Sequence, residues 1–259
     1  MKKIAYLVGP FIGDLRWEYY YFVPYIIHLM KKEPNRAFII FTRRHRFDLY
    51  GSYAEIFVSL KIKNDSPKRH NKFKIDGFNV REFDMLRKAF MDKYKTRYKI
   101  IDEIYPDISK FLYKLKWQYP RSEMDYNFQP RKANKKLISM FVKSSYAFID
   151  QSEYVPHMNF SNYETVNLND LIAQITSYID GIKITTIGCF IEALKSSQFV
   201  VGNLESDVSR LALLLGKPLI TLNEKLTDDE IHLINPRNTL VIRCDNVKDG
   251  LKIYEDHYK

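Results

Sequence analysis

The chain has 259 residues, enough for one large domain or two modest ones with a real core. Apolar residues make up 46% and charged residues 28%, which excludes disorder, a collagen-like repeat and a disulfide scaffold. The formal charge of +10 is uneven: residues 1–136 carry 30 Lys/Arg against 15 Asp/Glu, and residues 137–259 carry 11 against 16. That asymmetry predicts two halves with different partners, the first facing nucleic acid, lipopolysaccharide or a membrane surface; a solvated Lys-rich surface is the plainer reading.

Lys3–Val8 predicts an apolar strand ending at Gly9-Pro10. Leu15–Lys32 follows with helical spacing at Phe22, Tyr25, Ile26, Leu29 and Met30, and Pro24 must lie near the helix start or kink it. Pro34-Asn35 ends that helix and Ala37–Thr42 is a second buried strand, giving a βαβ unit with a parallel pair. Glu55–Leu60 and Phe78–Phe83 are weaker strands, separated by a basic loop over Lys61–Lys74. Asp84–Lys116 has helical composition divided by Pro106, and Trp117–Asn134 reads as an interdomain linker.

A second alternating series begins with a strand at Lys136–Val142 and helices at Leu168–Ile179 and Ile187–Ser196. Strand Phe199–Val201, helix Ser206–Leu215, strands Leu219–Leu222 and Thr239–Arg243, and a terminal helix Val247–Tyr258 complete it. The alternation predicts an α/β fold with one parallel sheet in each of two domains, 1–125 and 126–259.

Cys189 and Cys244 lack CxxC spacing and read as small buried residues in a reducing compartment. Ile4–Val8 is too short for a signal peptide, and Tyr19–Met30, interrupted by Pro24 and His28, falls short of a membrane span. The expectation is a cytoplasmic protein without a transmembrane segment. The six His are scattered and no D-x-D, HExxH or HxH pattern occurs, so no metal site is expected.

The best-specified segment is Gln198–Asn223. A short apolar strand ends at Gly202-Asn203, Ser206 is a good N-cap, and Val208, Leu211, Ala212 and Leu215 share one helical face. Gly216 occupies the helix-terminating position before Pro218. The loop Gly202–Asp207 therefore lies at the carboxyl end of a parallel strand, where open α/β sheets bind ligands. Glu205 and Asp207 oppose a phosphate but can accept hydrogen bonds from ribose or sugar hydroxyls; alternatively they simply favour the helix dipole.

The run VVGNLESDVSRLALLLGKPLITL resembles the donor-site signature of the ADP-heptose:lipopolysaccharide heptosyltransferases, glycosyltransferase family 9. Glu205 and Ser206 stand at the family's Asp and Ser/Thr once Leu204 is counted as an extra residue, and Asp207 replaces the family glycine. Leu211, Ala212 and Leu215–Pro218 match directly, and IGCFIEALKSSQF is similar to the helix that leads into this strand. At the other end, KIAYLVGPFIGDLRWEYYYFVPYIIHLMKKEPNRAFIIF resembles the family opening, with Gly13-Asp14, Pro24 and Leu29–Pro34 at the matching positions.

The resemblance implies a GT-B-like architecture: two Rossmann-like domains facing each other across a cleft, acceptor on the first and nucleotide sugar on the second. It implies inverting sugar transfer with a nucleotide-diphosphate sugar as co-substrate and no cofactor. Asp14 matches the family's base; on residue type alone it reads as a helix N-cap. Donor contacts fall to Lys143, Ser144, Glu205, Ser206, Asp207 and Arg210, and acceptor contacts to Gly13, Arg43, Arg44 and Arg46. The family's K-x-W-P pattern after Lys143 is absent. The implied acceptor is an anionic glycan or nucleic acid, with peripheral contact at the inner membrane face. Two rivals stand beside it: a catalytically silent nucleotide- or glycan-binding protein, and a sugar-nucleotide epimerase.

Overall fold

The computed structural model describes residues 2–9, 15–60, 85, 88–89, 91–104, 121–130, 138, 146–150, 163–167, 169–171, 186–222 and 224–258. The chain divides into two compact units, Met1–Gln129 and Pro130–Lys259.

The first unit carries a four-stranded parallel sheet of β1 (Lys3–Val8), β2 (Ala37–Arg43), β3 (Ile56–Leu60) and β4 (Tyr98–Ile104), in the order β3-β2-β1-β4. Every residue of β2 is buried, as expected of a strand covered on both faces. Between β1 and β2 the chain forms a short helix α1 (Leu15–Trp17), a π-helical turn (Glu18–Phe22) and α2 (Val23–Lys32). Pro24 sits in the first turn of α2, where its missing N–H removes no intrahelical bond. Val23, Ile26, Ile27 and Met30 form the buried stripe of that helix. After β2 come a 3₁₀ turn (Arg44–Arg46) and α3 (Phe47–Tyr50).

The second unit has a five-stranded parallel sheet of β5 (Tyr146–Ile149), β6 (Glu164–Asn167), β7 (Phe199–Val201), β8 (Leu219–Leu222) and β9 (Val241–Cys244), ordered β6-β5-β7-β8-β9. Its described helices include α4 (Thr186–Ser196), α5 (Asp207–Leu214), α6 (Asp228–Ile234) and α7 (Val247–Tyr258). Phe199, Val201, Ile220, Ile242, Val247 and Tyr254 make one apolar cluster beneath α7. Helix α5 ends as predicted: Gly216 has φ of 74°, its N–H reaches Leu213 O, and the Lys217 N–H reaches Ala212 O, both at 3.0 Å. This is the Schellman closure that a glycine permits at that position.

Three expectations need correction. Asp84–Lys116 is not helical throughout, because Tyr98–Ile104 is the edge strand β4; its Lys, Asp and Glu conceal a strand that keeps only one face apolar. The strand expected at Lys136–Val142 is displaced: Ile138 is helical, and Tyr146–Ile149, buried along its whole length, takes that place in the sheet. The stretch read as a linker is partly folded onto the first unit. There the Asp125 N–H bonds Pro24 O, the Tyr126 hydroxyl bonds Tyr20 O, and Phe128 is fully buried. Phe78–Phe83 lies outside the described residues.

Candidate functional site

In each sheet the strand order reverses once, between β1 and β4 and between β5 and β7. Open α/β sheets leave a crevice at the carboxyl ends of such strand pairs. In the second unit that point holds Asp150, directly after β5, and Gly202, directly after β7, joined by the Asp150 N–H to Val201 O at 2.9 Å. Asp150 is buried, and its Oδ2 accepts from the Ser209 hydroxyl of α5 at 2.7 Å. Gly202 is what lets these groups meet, since a Cβ there would lie 2.1 Å from Ser209 Oγ and 2.9 Å from Asp150 Cβ.

The loop above is held by its own polar groups. Ser206 N-caps α5, accepting from the Val208 N–H at 3.1 Å. The Asn203 side chain accepts from the Glu205 N–H at 2.6 Å, and Asn203 O accepts from the Ser206 N–H. Glu224, just beyond β8, accepts from the Leu204 N–H at 3.3 Å and from the Lys225 and Leu226 N–H groups at 2.9 Å. Arg210 turns back from α5 so that its Nε donates to Leu204 O at 2.5 Å.

Burial raises the Asp150 carboxyl above the ordinary aspartate range, and Asp207 adds to the rise. Hydrogen bonds from the Ser206 and Ser209 side chains and the Ser209 N–H oppose the shift. Two first-turn N–H groups of α5, those of Val208 and Ser209, are thus already engaged within the chain. With Glu205 and Asp207 on the same loop, the edge is richer in acceptors than in phosphate-binding donors, which suits hydroxyl-bearing ligands.

The Asp150 shift has a measurable sign. A carboxyl whose folded pKa exceeds its unfolded value binds more protons in the native state. Its contribution to stability is therefore fully present below the ordinary value of 3.8 and is lost as pH rises through the raised folded value. Asp150→Asn, which keeps an oxygen for Ser209, is expected to gain in melting temperature relative to wild type as pH climbs from about 4. Parallel melting curves at all pH values would count against this assignment.

In the first unit the reversal lies at Gly9, whose N–H bonds Ile104 O at 2.7 Å and whose φ of 86° starts the loop after β1. Gly13 and Asp14 lie outside the described residues, as do Lys143 and Ser144. Of the three arginines expected to bind acceptor, Arg44 is exposed, Arg43 is buried within β2, and Arg46 is fully buried. Arg46 Nη1 pairs with Glu18 Oε2 at 2.7 Å, and Glu18 Oε1 accepts from Thr42 at 2.9 Å and Tyr50 at 2.6 Å. Arg46 thus lies inside the first unit, on a carboxylate of the π-helical turn that shortly follows Asp14 in sequence.

Sequence reasoning passed over Asp150, Ser209, Glu224 and Glu18. Asp150 had a usable signal: it ends the apolar run YAFI, as Gly202 ends FVV. Glu18 had none, because its partners lie 24 to 32 residues away.

No protein-family model matches the sequence, and no curated protein does. Solved structures do match over almost the whole chain. The E. coli ADP-heptose LPS heptosyltransferase II aligns with a TM-score of 0.54 at 12% identity, covering 99% of this chain and 100% of that one. The E. coli heptosyltransferase WaaC with ADP aligns at 0.51 and 12% identity, with the same coverage. A glycosyl transferase family 9 protein from Veillonella parvula aligns at 0.50 and 10%, covering 99% of this chain and 89% of that one. The chain has a two-domain α/β fold with a parallel sheet in each Rossmann-like unit, similar from end to end to these glycosyltransferase family 9 structures. Among the described residues no helix is long and apolar enough to cross a membrane.

Proposed function

We propose that the chain is a glycosyltransferase that moves a sugar from a nucleotide-diphosphate sugar to a hydroxyl of an anionic acceptor, with inversion and without a metal. The observation that carries this reading is the Gly202–Asp207 loop, locked at the strand-order reversal of the second sheet in a fold similar to heptosyltransferases. Two of those structures bear names that specify ADP or ADP-heptose, so an adenine nucleotide is the first donor to try.

In this scheme Glu205, Ser206 and Asp207 receive ribose or sugar hydroxyls, while Arg210 steadies the loop through Leu204 O. Lys143 and Ser144 hold the diphosphate, and Arg44 on the first unit draws the anionic acceptor. The acceptor oxygen bonds to the anomeric carbon as the bond to the diphosphate breaks. The electron pair leaves with the nucleoside diphosphate and Asp14 takes the acceptor proton. The protein works in the cytoplasm, where nucleotide sugars are made.

A melting-temperature screen of nucleotide sugars against free nucleotides tests the donor. A ligand at about 100 times its Kd stabilises the fold by about 2.7 kcal/mol, a clear shift. If no nucleotide sugar stabilises the protein, the reading fails. Stabilisation without turnover on any acceptor would instead identify a binding protein.

A further inference from the structure

Helix α5 meets complementary groups of its own chain at both ends. At its start the Ser206 N–H goes to Asn203 O, the Val208 N–H to Ser206 Oγ and the Ser209 N–H to Asp150. The Arg210 N–H then begins the helical ladder on Ser206 O at 3.1 Å. At its end Arg237 Nη1 donates to Leu214 O at 3.1 Å and the Thr239 hydroxyl to Leu213 O at 2.8 Å. A carboxylate thus faces the positive end of the helix dipole and a guanidinium the negative end.

A phosphate at a helix N-terminus uses those same N–H groups and that same dipole. Here an anion belonging to the chain holds the place. Asp150 is buried, its Oδ2 takes the Ser209 hydroxyl at 2.7 Å, and only a glycine at 202 leaves room for that bond. Asp207, the first residue of α5, acts on Asp150 as a like charge. Among the described residues of the loop and its anchors, Asp150, Glu205, Asp207 and Glu224 stand against Arg210 and Lys225. Arg210 is turned through Nε onto Leu204 O.

We infer that Asp150, with Asp207 beside it, decides which part of a ligand the crevice of the second unit accepts. It keeps phosphate off α5, so the Gly202–Asp207 loop takes the hydroxyl-bearing part of a nucleotide sugar and the diphosphate is held by groups outside α5. This rests on the proposed donor site and narrows it from a nucleotide sugar in general to one read through its ribose or sugar hydroxyls.

Inorganic pyrophosphate, adenosine and ADP, titrated into the full chain at about pH 8, well above the ordinary carboxylate range, test this by calorimetry. Asp150→Asn keeps an oxygen for Ser209 and removes the charge. It should bind pyrophosphate and ADP about tenfold more tightly than wild type, with adenosine affinity unchanged. Asp207→Asn leaves the Asp150–Ser209 bond in place, so it decides the matter even if Asp150→Asn does not fold; it should tighten both by about threefold. Asp256→Asn, at the exposed end of α7, changes the net charge by the same amount and should alter none of the three affinities. Unchanged pyrophosphate and ADP binding in the folded variants overturns the inference, as does an equal tightening by Asp256→Asn. If no nucleotide sugar binds wild type, the donor assignment falls, and the pyrophosphate comparison still decides what Asp150 does.

Discussion

Glu18→Ala is expected to destabilise the first unit by about 3–5 kcal/mol, because it removes one side of a fully buried ion pair. The Glu18 carboxylate is the acceptor for Arg46, Thr42 and Tyr50, and Glu18, Thr42, Arg46 and Tyr50 are all buried. Burial first, and then Glu18 itself, hold the Tyr50 hydroxyl well above its ordinary pKa, so it stays protonated as a donor. Alanine leaves the Arg46 guanidinium in the interior without that counter-charge and takes an acceptor from two hydroxyls. A denaturant titration of wild type and variant gives the difference directly. Glu18→Leu combined with Arg46→Met should recover most of the loss, since a buried pair replaced by apolar groups of similar volume is often neutral or better. A loss under about 1 kcal/mol for Glu18→Ala would mean that the pair is solvated in solution.

This network also marks what the sequence could not disclose. The local grammar of Gln198–Asn223 was readable because each rule acts within a few residues: an apolar triplet for β7, a serine cap, a 3.6-residue stripe and a glycine stop. The βαβ opening was legible for the same reason, down to Pro24 at the helix start. Arg43, Arg44 and Arg46 looked alike as a basic run after a strand, yet Arg43 and Arg46 are buried and Arg44 is exposed. What buries the two is strand β2, covered along its whole length, and a glutamate 28 residues before Arg46, neither of which leaves a mark beside the arginines. Asp150 is the intermediate case. Its position after a buried strand was visible in principle, but its role depends on Ser209 arriving from another element, 59 residues on. Of the four edge strands β3 and β9 were legible, while β4 and β6 were not, because their sequences carry charge and polarity like a helix face or a loop.

Asp14→Asn is expected to lower kcat by about 10²–10⁴-fold if Asp14 is the base, with the nucleotide-sugar melting shift unchanged. The choice of asparagine matters. Asp14 immediately precedes α1, and an N-cap is the competing role for that residue. Asparagine caps a helix about as well as aspartate, so a capping role predicts near wild-type stability and near wild-type turnover. It cannot accept the acceptor proton, so a catalytic role predicts intact folding and donor binding with the chemical step lost. Asp14→Ala would blur the two, because it removes cap and base together and costs about 1 kcal/mol of stability. The measurement is therefore turnover of the best-stabilising nucleotide sugar under saturating donor, compared between wild type and Asp14→Asn. Equal turnover assigns Asp14 to the helix and leaves the proton to another group. A lost step with an unaltered melting shift places the base at the loop after β1, where the strand order of the first sheet reverses as it does beneath Gly202 in the second.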